Sequence, residues 1–183
     1  QPVRLTANNT PIEGTGEWLN TSIYVFRPAQ PLPGGTIINA SVSGDLVDTD
    51  GNPMAAAYNW QFAVAPPKVV YVTPSNGANL VPIESALTVQ FNQPISLGSA
   101  RQFVTLSASD GRAVALDMSV LSETLTLTPT ARLDFETAYV LKVAAGVTGR
   151  SGGTGMRETV TSLFTTVPLP RVLSTDPADG QRD

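Results

Sequence analysis

Histidine and cysteine are both absent from this chain of 183 residues. Without them there is no Ser-His-Asp or Cys-His nucleophile system, no imidazole or thiolate zinc site, no disulfide and no c-type haem attachment. Charge is scarce too: charged residues make up 14%, against roughly 25% in an average soluble domain. The only lysines are Lys68 and Lys142, and the arginines are scattered, so no basic patch for nucleic acid or an anionic membrane forms. No uninterrupted apolar run reaches the length of a membrane-spanning helix. The opening Gln1-Pro2-Val3-Arg4-Leu5 leads into no apolar stretch of the kind a signal peptide carries. What remains is a mildly acidic chain, net charge −4, with 42% hydrophobic residues, 15 glycines and 15 prolines. That composition supports a packed core and many turns.

The chain also repeats itself. Gly44 through Met54 to Phe62 matches Gly146 through Met156 to Phe164 without gaps. Upstream, Tyr24–Pro28 matches Leu125–Pro129, and Leu5 and Leu32 match Leu106 and Leu133. Lys68–Gly77 matches Arg171–Gly180 near the end. A period of about one hundred residues is the length of one sandwich domain. Residues 67–168 then form a complete unit, 1–66 the later two-thirds of a preceding one, and 169–183 the first strand of a following unit or a linker. Ala65-Pro66-Pro67 and Val167-Pro168-Leu169-Pro170 are short, stiff joints.

Within the unit the pattern is strand after strand. Leu87, Val89 and Phe91 alternate with Thr88 and Gln90, and Leu125 and Leu127 alternate with threonines. Tyr139, Leu141 and Val143 repeat the alternation, as do Tyr58, Trp60 and Phe62 in the first copy. Asp110-Gly111 between Phe103–Leu106 and Val114–Met118 predicts a hairpin. No stretch sustains a helical period. About seven strands per hundred residues predict an all-β fold, tandem immunoglobulin-like sandwiches. Phe91, Leu125, Leu127, Tyr139 and Phe164 are expected to supply the cohesion that no disulfide can.

The order of motifs is also distinctive. Val69-Val70 with Pro74 and Gly77, then Leu87-Thr88-Val89 with Phe91, Pro94 and Ile95, precede Leu125-Thr126-Leu127-Thr128-Pro129. Leu133, Thr137 and Tyr139 follow, and Phe164-Thr165-Thr166 closes the run. Asp48-Thr49-Asp50-Gly51-Asn52-Pro53-Met54 and Trp60-Gln61-Phe62 of the first copy fit the same pattern. The sequence resembles bacterial Ig-like domains of the surface-layer (SbsA-like) type. That resemblance implies a large, exported or surface-attached bacterial parent, neighbouring Ig-like domains as partners, and a structural spacer role without a catalytic site. An accessory region of a secreted enzyme or macroglobulin-like inhibitor, and an adhesin or carbohydrate-binding module, are the alternatives.

Candidate chemistry is sparse. Asp45, Asp48 and Asp50 are the densest set of oxygen ligands, and acids around a glycine turn can gather calcium. The other reading is an Asx turn, and the second copy carries no acids there, with Arg150 and Gly152 at counterpart positions. Asp134 and Glu136, like Glu13 and Glu17, are carboxylate pairs, but each reads as a solvated edge rather than the facing walls glycoside hydrolysis needs. Trp18, Tyr24, Tyr58 and Trp60 could make a sugar platform, yet the phase of Tyr24, Tyr58 and Trp60 with Phe26 and Phe62 reads as core. Trp18 aligns with Ser119 and is the exception, an exposed pointer to a partner. Tyr139 is placed for a tyrosine corner, with Ile38 at its position in the first copy. Asn8, Asn20 and Asn39 begin glycosylation sequons that a bacterial source would leave unused.

The incomplete first unit carries one more expectation. It lacks counterparts of Val69–Val72 and Leu87–Phe91, so open edges should leave Tyr24, Phe26 and Phe62 uncovered. Such edges favour self-association or strand exchange between chains, with Arg171–Gly180 a candidate donor.

Overall fold

The computed structural model describes residues 2–176 and 179. Its first region runs β1 (Val3–Ala7), β2 (Thr10–Pro11), β3 (Gly14–Trp18), β4 (Tyr24–Pro28), β5 (Ile37–Val42) and β6 (Tyr58–Ala63). One sheet has the order β2-β1-β5-β6, all antiparallel, and β3 and β4 form a separate two-stranded sheet. Asn8 and Asn9 both have positive φ, the two-residue turn that matches the twist of a hairpin and joins β1 to β2.

The second region adds β7 (Val69–Thr73), β8 (Ala78–Val81), β9 (Leu87–Phe91), α1 (Leu97–Phe103), β10 (Val104–Ala108) and β11 (Ala113–Val114). It closes with β12 (Leu116–Leu121), β13 (Thr124–Pro129), β14 (Ala138–Val143) and β15 (Val160–Thr166). Two sheets pack face to face, β12-β13-β9-β7 and β11-β10-β14-β15-β8, with β8 parallel to β15 and every other pair antiparallel. Alternation along each strand turns one face inward. Phe91, Leu125, Leu127, Tyr139 and Phe164 are all buried in one continuous core, as the pattern predicted.

Two details depart from the sequence reading. The Asp110-Gly111 turn does join a hairpin, with Gly111 at φ +88, but β11 ends at Val114 and β12 begins at Leu116 in the opposite sheet. The short helix α1 was not foreseen. Its N-cap is Ser96, whose Oγ accepts from the Ser99 amide at 3.3 Å. A helix of seven residues buries only Ala100, too little to impose a readable period.

The regions meet at a joint held by neutral groups. Asn92 Oδ1 accepts from the Lys68 amide at 2.8 Å while its Nδ2 donates to Pro66 O at 3.1 Å. Gln93 Nε2 donates to Ala65 O at 3.2 Å. Across from them, the Thr154 amide donates to Gly34 O at 2.8 Å and its hydroxyl to Gly35 O at 3.2 Å. Gly153 sits at φ +89, and a Cβ there would lie 2.2 Å from Gly34 O, so only glycine permits this approach.

Residues 171–176 are exposed and carry no strand. Pro177, Ala178 and Gly180, the rest of the candidate donor strand except Asp179, lie outside the described residues.

Candidate functional site

The strand registers of the two regions superimpose. Ile38 faces Phe62 as Tyr139 faces Phe164, and Ala7 faces Ile38 as Ala108 faces Tyr139. Tyr58, Trp60 and Phe62 therefore share the inward face of β6 with the buried Ile38 and Ala40 of β5. The phase is right and the expected burial is not. Tyr58 is 62% exposed, Trp60 37% and Phe62 38%, whereas Phe164 is 1% exposed. The reason is the cover: β15 is bordered by β8 and faces β9 and β13 across the core, whereas β6 ends its sheet.

The same contrast marks the opposite sheet. In the second region β13 is flanked by β12 and β9, and in the first, β4 pairs only with β3. Tyr24 and Phe26, the counterparts of buried Leu125 and Leu127, are half-buried. Side-chain volume is redistributed between partner strands here. Gly14 and Gly16 replace Leu116 and Met118, and the rings of Phe26 and Tyr24 fold across them, with Tyr24 Oη only 1.8 Å from where a Gly16 Cβ would stand. Likewise Ala40 beside Trp60 replaces Leu141 beside Ser162. The first region places its largest side chains beside the outer edges of β4 and β6.

Trp18 pairs with Tyr24 as Val120 pairs with Leu125, so its counterpart is Val120 and not Ser119. The five-residue loop after β3 against the tight turn after β12 shifts the alignment by one. Trp18 is thus an inward-facing residue, 49% exposed, with its ring edge-on to Tyr24 at 5.2 Å. It also borders a cleft of about 490 Å³ shared with Asn20, Val47 and Asp48, which brings two of the candidate residues to one place.

Asp48 is already occupied. Its Oδ1 accepts from the Asp50 amide at 2.9 Å and the Asn52 amide at 2.8 Å, and Asn52 Nδ2 reaches Oδ2 at 3.1 Å. The Asn52 side chain, then its amide, hold the Asp48 carboxyl below its ordinary value of 3.8. Asp45 instead accepts from Ser43 Oγ at 2.9 Å. Among the described residues, no group of three or more acids gathers to hold a metal ion. The arrangement is an Asx turn, built from donors within the loop.

The other candidate acids are on the surface, and two of them pair with arginine. Asp134 is 2.7 Å from Arg112, whose guanidinium is raised above its usual range by that hydrogen bond, and Glu17 pairs with Arg27. Glu136 is exposed in a turn at φ +51, and Glu13 borders an open cleft with Arg150. Such exposed pairs contribute little stability and hold no reacting geometry. Tyr139 does make the predicted corner, its Oη accepting from the Asp134 amide at 2.8 Å, and Ile38 leaves the first region without one. Asn20 Oδ1 caps its loop through the Ser22 and Ile23 amides, and Asn39 Oδ1 accepts from Gln61 Nε2.

Residues 63–166, more than half of the chain, match the bacterial Ig-like domain family. The chain belongs to that family. No curated relative matches this Ig-like chain. Among solved structures, the N-terminal part of the bacterial S-layer protein SbsC is similar at 20% identity and a TM-score of 0.42, over 58% of this chain and 25% of that one. The LD transpeptidase LdtMt1, in complex with imipenem, is similar at 20% identity and a TM-score of 0.41, over 55% of this chain and 40% of that one. The Ig-like chain thus spans less than half the length of either.

The joint-forming Asn92, Gln93 and Thr154 escaped the sequence reading. The usable signal is two side-chain amides directly after the last apolar residue of a strand, where the ladder ends and the next unit begins. Gly14-x-Gly16 opposite Tyr24-x-Phe26 is a second missed pairing, legible as small residues facing aromatics across a hairpin.

Proposed function

We propose that this chain is a non-catalytic spacer segment of tandem Ig-like domains in a large exported bacterial protein. The observation that carries the reading is the joint. Two regions with the same strand registers are linked by Pro66-Pro67 and clamped by Asn92, Gln93 and Thr154, which limits bending between them. A spacer needs that property and an enzyme does not. The unit limits 1–66, 67–168 and 169–183 belong to the same proposal. The surface acids add support, since Asp134 and Glu17 are engaged by arginines in the open rather than aimed at a shared cleft.

Residual dipolar couplings test it directly. Amides of β1, β5 and β6 and amides of β10, β14 and β15 should fit one alignment tensor. Two tensors of different magnitude would mean a flexible tether and end the spacer reading. Turnover of a peptide, ester or glycan substrate by the purified chain, lost on replacing one Asp or Glu, would end the non-catalytic part.

A further inference from the structure

The outer face of the sheet β2-β1-β5-β6 is built unlike its counterpart in the second region. Alternation turns Leu5, Ala7, Ile38 and Ala40 into the core, so Arg4, Thr6, Asn39, Ser41, Asn59 and Gln61 stand on the opposite face. They form two ranks across the paired strands β1, β5 and β6: Arg4-Ser41-Asn59 and Thr6-Asn39-Gln61. All six line one cleft of about 490 Å³, a volume in the range of small-ligand sites. The cleft belongs to the side-chain face of three hydrogen-bonded strands, and unpaired backbone edges play no part in it.

The fold does not require these residues. At the same registers the second region carries Thr105, Ser107, Val140, Lys142, Thr161 and Leu163. Asparagine is a poor strand former, yet Asn39 and Asn59 sit inside adjacent strands. A local preference broken without a packing gain marks a functional position. Gln61 Nε2 donates to Asn39 Oδ1 at 2.8 Å, which leaves Asn39 Nδ2 as a donor and Gln61 Oε1 as an acceptor. Arg4 is the one charged group of the cleft, and among the described residues it forms no ion pair.

We propose that this cleft binds an acidic saccharide, a glycan segment with one uronate carboxylate beside a neutral sugar. Side-chain amides and hydroxyls both donate and accept, as sugar hydroxyls do, and Asn39, Ser41, Asn59, Gln61 and Thr6 supply them. The Arg4 guanidinium takes the carboxylate through two parallel hydrogen bonds. The two ranks cover about 10 Å by 7 Å, the footprint of a disaccharide, so one cation meets one carboxylate. A nucleic acid or an acidic peptide would bring several negative charges to that single cation. This inference goes beyond the spacer reading and does not depend on export or on the stiffness of the joint.

Nitrogen-15 NMR titration of the whole chain tests it, with cellobiouronic acid and hyalobiuronic acid as acidic probes, and cellobiose and N-acetylglutamate as the sugar and the carboxylate alone. At least one acidic probe should shift the side-chain amides of Asn39, Asn59 and Gln61 and the Arg4 Nε–H, saturating at one per chain. The Trp60 indole N–H, which borders the cleft, should move with them, and that of Trp18 should stay. Cellobiose and N-acetylglutamate should each bind about tenfold more weakly, the worth of one charge-assisted hydrogen bond. Arg4→Gln should weaken the acidic probe about tenfold and leave cellobiose unchanged. Asn59→Asp, which sets a like charge beside the uronate, should weaken it at least as much, and Lys142→Gln on the second region's face should change nothing. Unshifted backbone amides in β10, β14 and β15, and in β2 and β4, show that each variant keeps its fold. No saturable shift with either acidic probe, equal binding of cellobiose or N-acetylglutamate, or indifference to both Arg4→Gln and Asn59→Asp would each overturn the proposal.

Discussion

Phe62 and Phe164 occupy the same register position, and one is 38% exposed while the other is 1% exposed. Both strands alternate, both inward faces meet a buried partner on the neighbouring strand, and the pairing offsets are equal. The difference lies entirely in what stands on the far side. Periodicity sets which face a side chain takes, and burial is decided by strands distant in sequence that cover that face. A pattern can therefore be read correctly and still mislead about stability.

The largest effect expected from breaking this comparison is Phe164→Ala. It should lower the stability of the second region by about 3–5 kcal/mol, the usual cost of emptying a packed aromatic site. Phe62→Ala should cost only about 1 kcal/mol, because water already reaches the site and no closed cavity is left. Denaturant unfolding followed by tryptophan emission for the first region, and by far-ultraviolet circular dichroism for the whole chain, separates the two. Equal costs would mean that the first region is covered in solution.

Gly153→Ala should come next, costing about 1–3 kcal/mol through its left-handed backbone and the close approach to Gly34 O. Gly152→Ala is the matched control, at φ +76 but facing open space, so it carries the backbone cost without the collision. Thermal melts compare the pair, and only Gly153→Ala should also perturb amide shifts at Gly34 and Gly35. Tyr139→Phe removes the hydroxyl that accepts from the Asp134 amide and should cost about 1 kcal/mol. The first region, with Ile38 at that position, should be untouched.

The smallest effect concerns Asp48. Its carboxyl is held below 3.8, so the turn's stabilisation is fully present above that pH and is lost as pH falls through the depressed value. Amide exchange at Asp50 and Asn52 should quicken only below about pH 3.8, while the glycine-built counterpart around Gly152 stays unchanged. Quickening near neutral pH would contradict the assignment.

Much of the fold was legible in the sequence because its information is local. Leu87–Phe91 and Leu125–Thr128 alternate strictly and Tyr139–Val143 more weakly, and each lies in a strand with the expected face buried. The tyrosine corner was legible because a turn and its tyrosine lie close together in sequence. The candidate site was less so. Tyr58 and Trp60 were read as core from phase alone, and their cover is a property of the whole sheet order. Trp18 was aligned to Ser119 because loop length, which one-dimensional alignment conceals, shifts the register by one. The helix α1 was missed because seven residues around a single buried alanine leave no periodic trace.

The joint contains one more lesson, in its chemistry rather than its shape. Every hydrogen bond that clamps it comes from a side-chain amide, a hydroxyl or a backbone amide: Asn92, Gln93 and Thr154 against peptide groups. None of these groups titrates, and none is an ion pair that salt would screen. These hydrogen bonds are therefore indifferent to acidity and ionic strength across the range in which the chain stays folded. Dilution, brine or a drop in pH would leave this set of contacts in place.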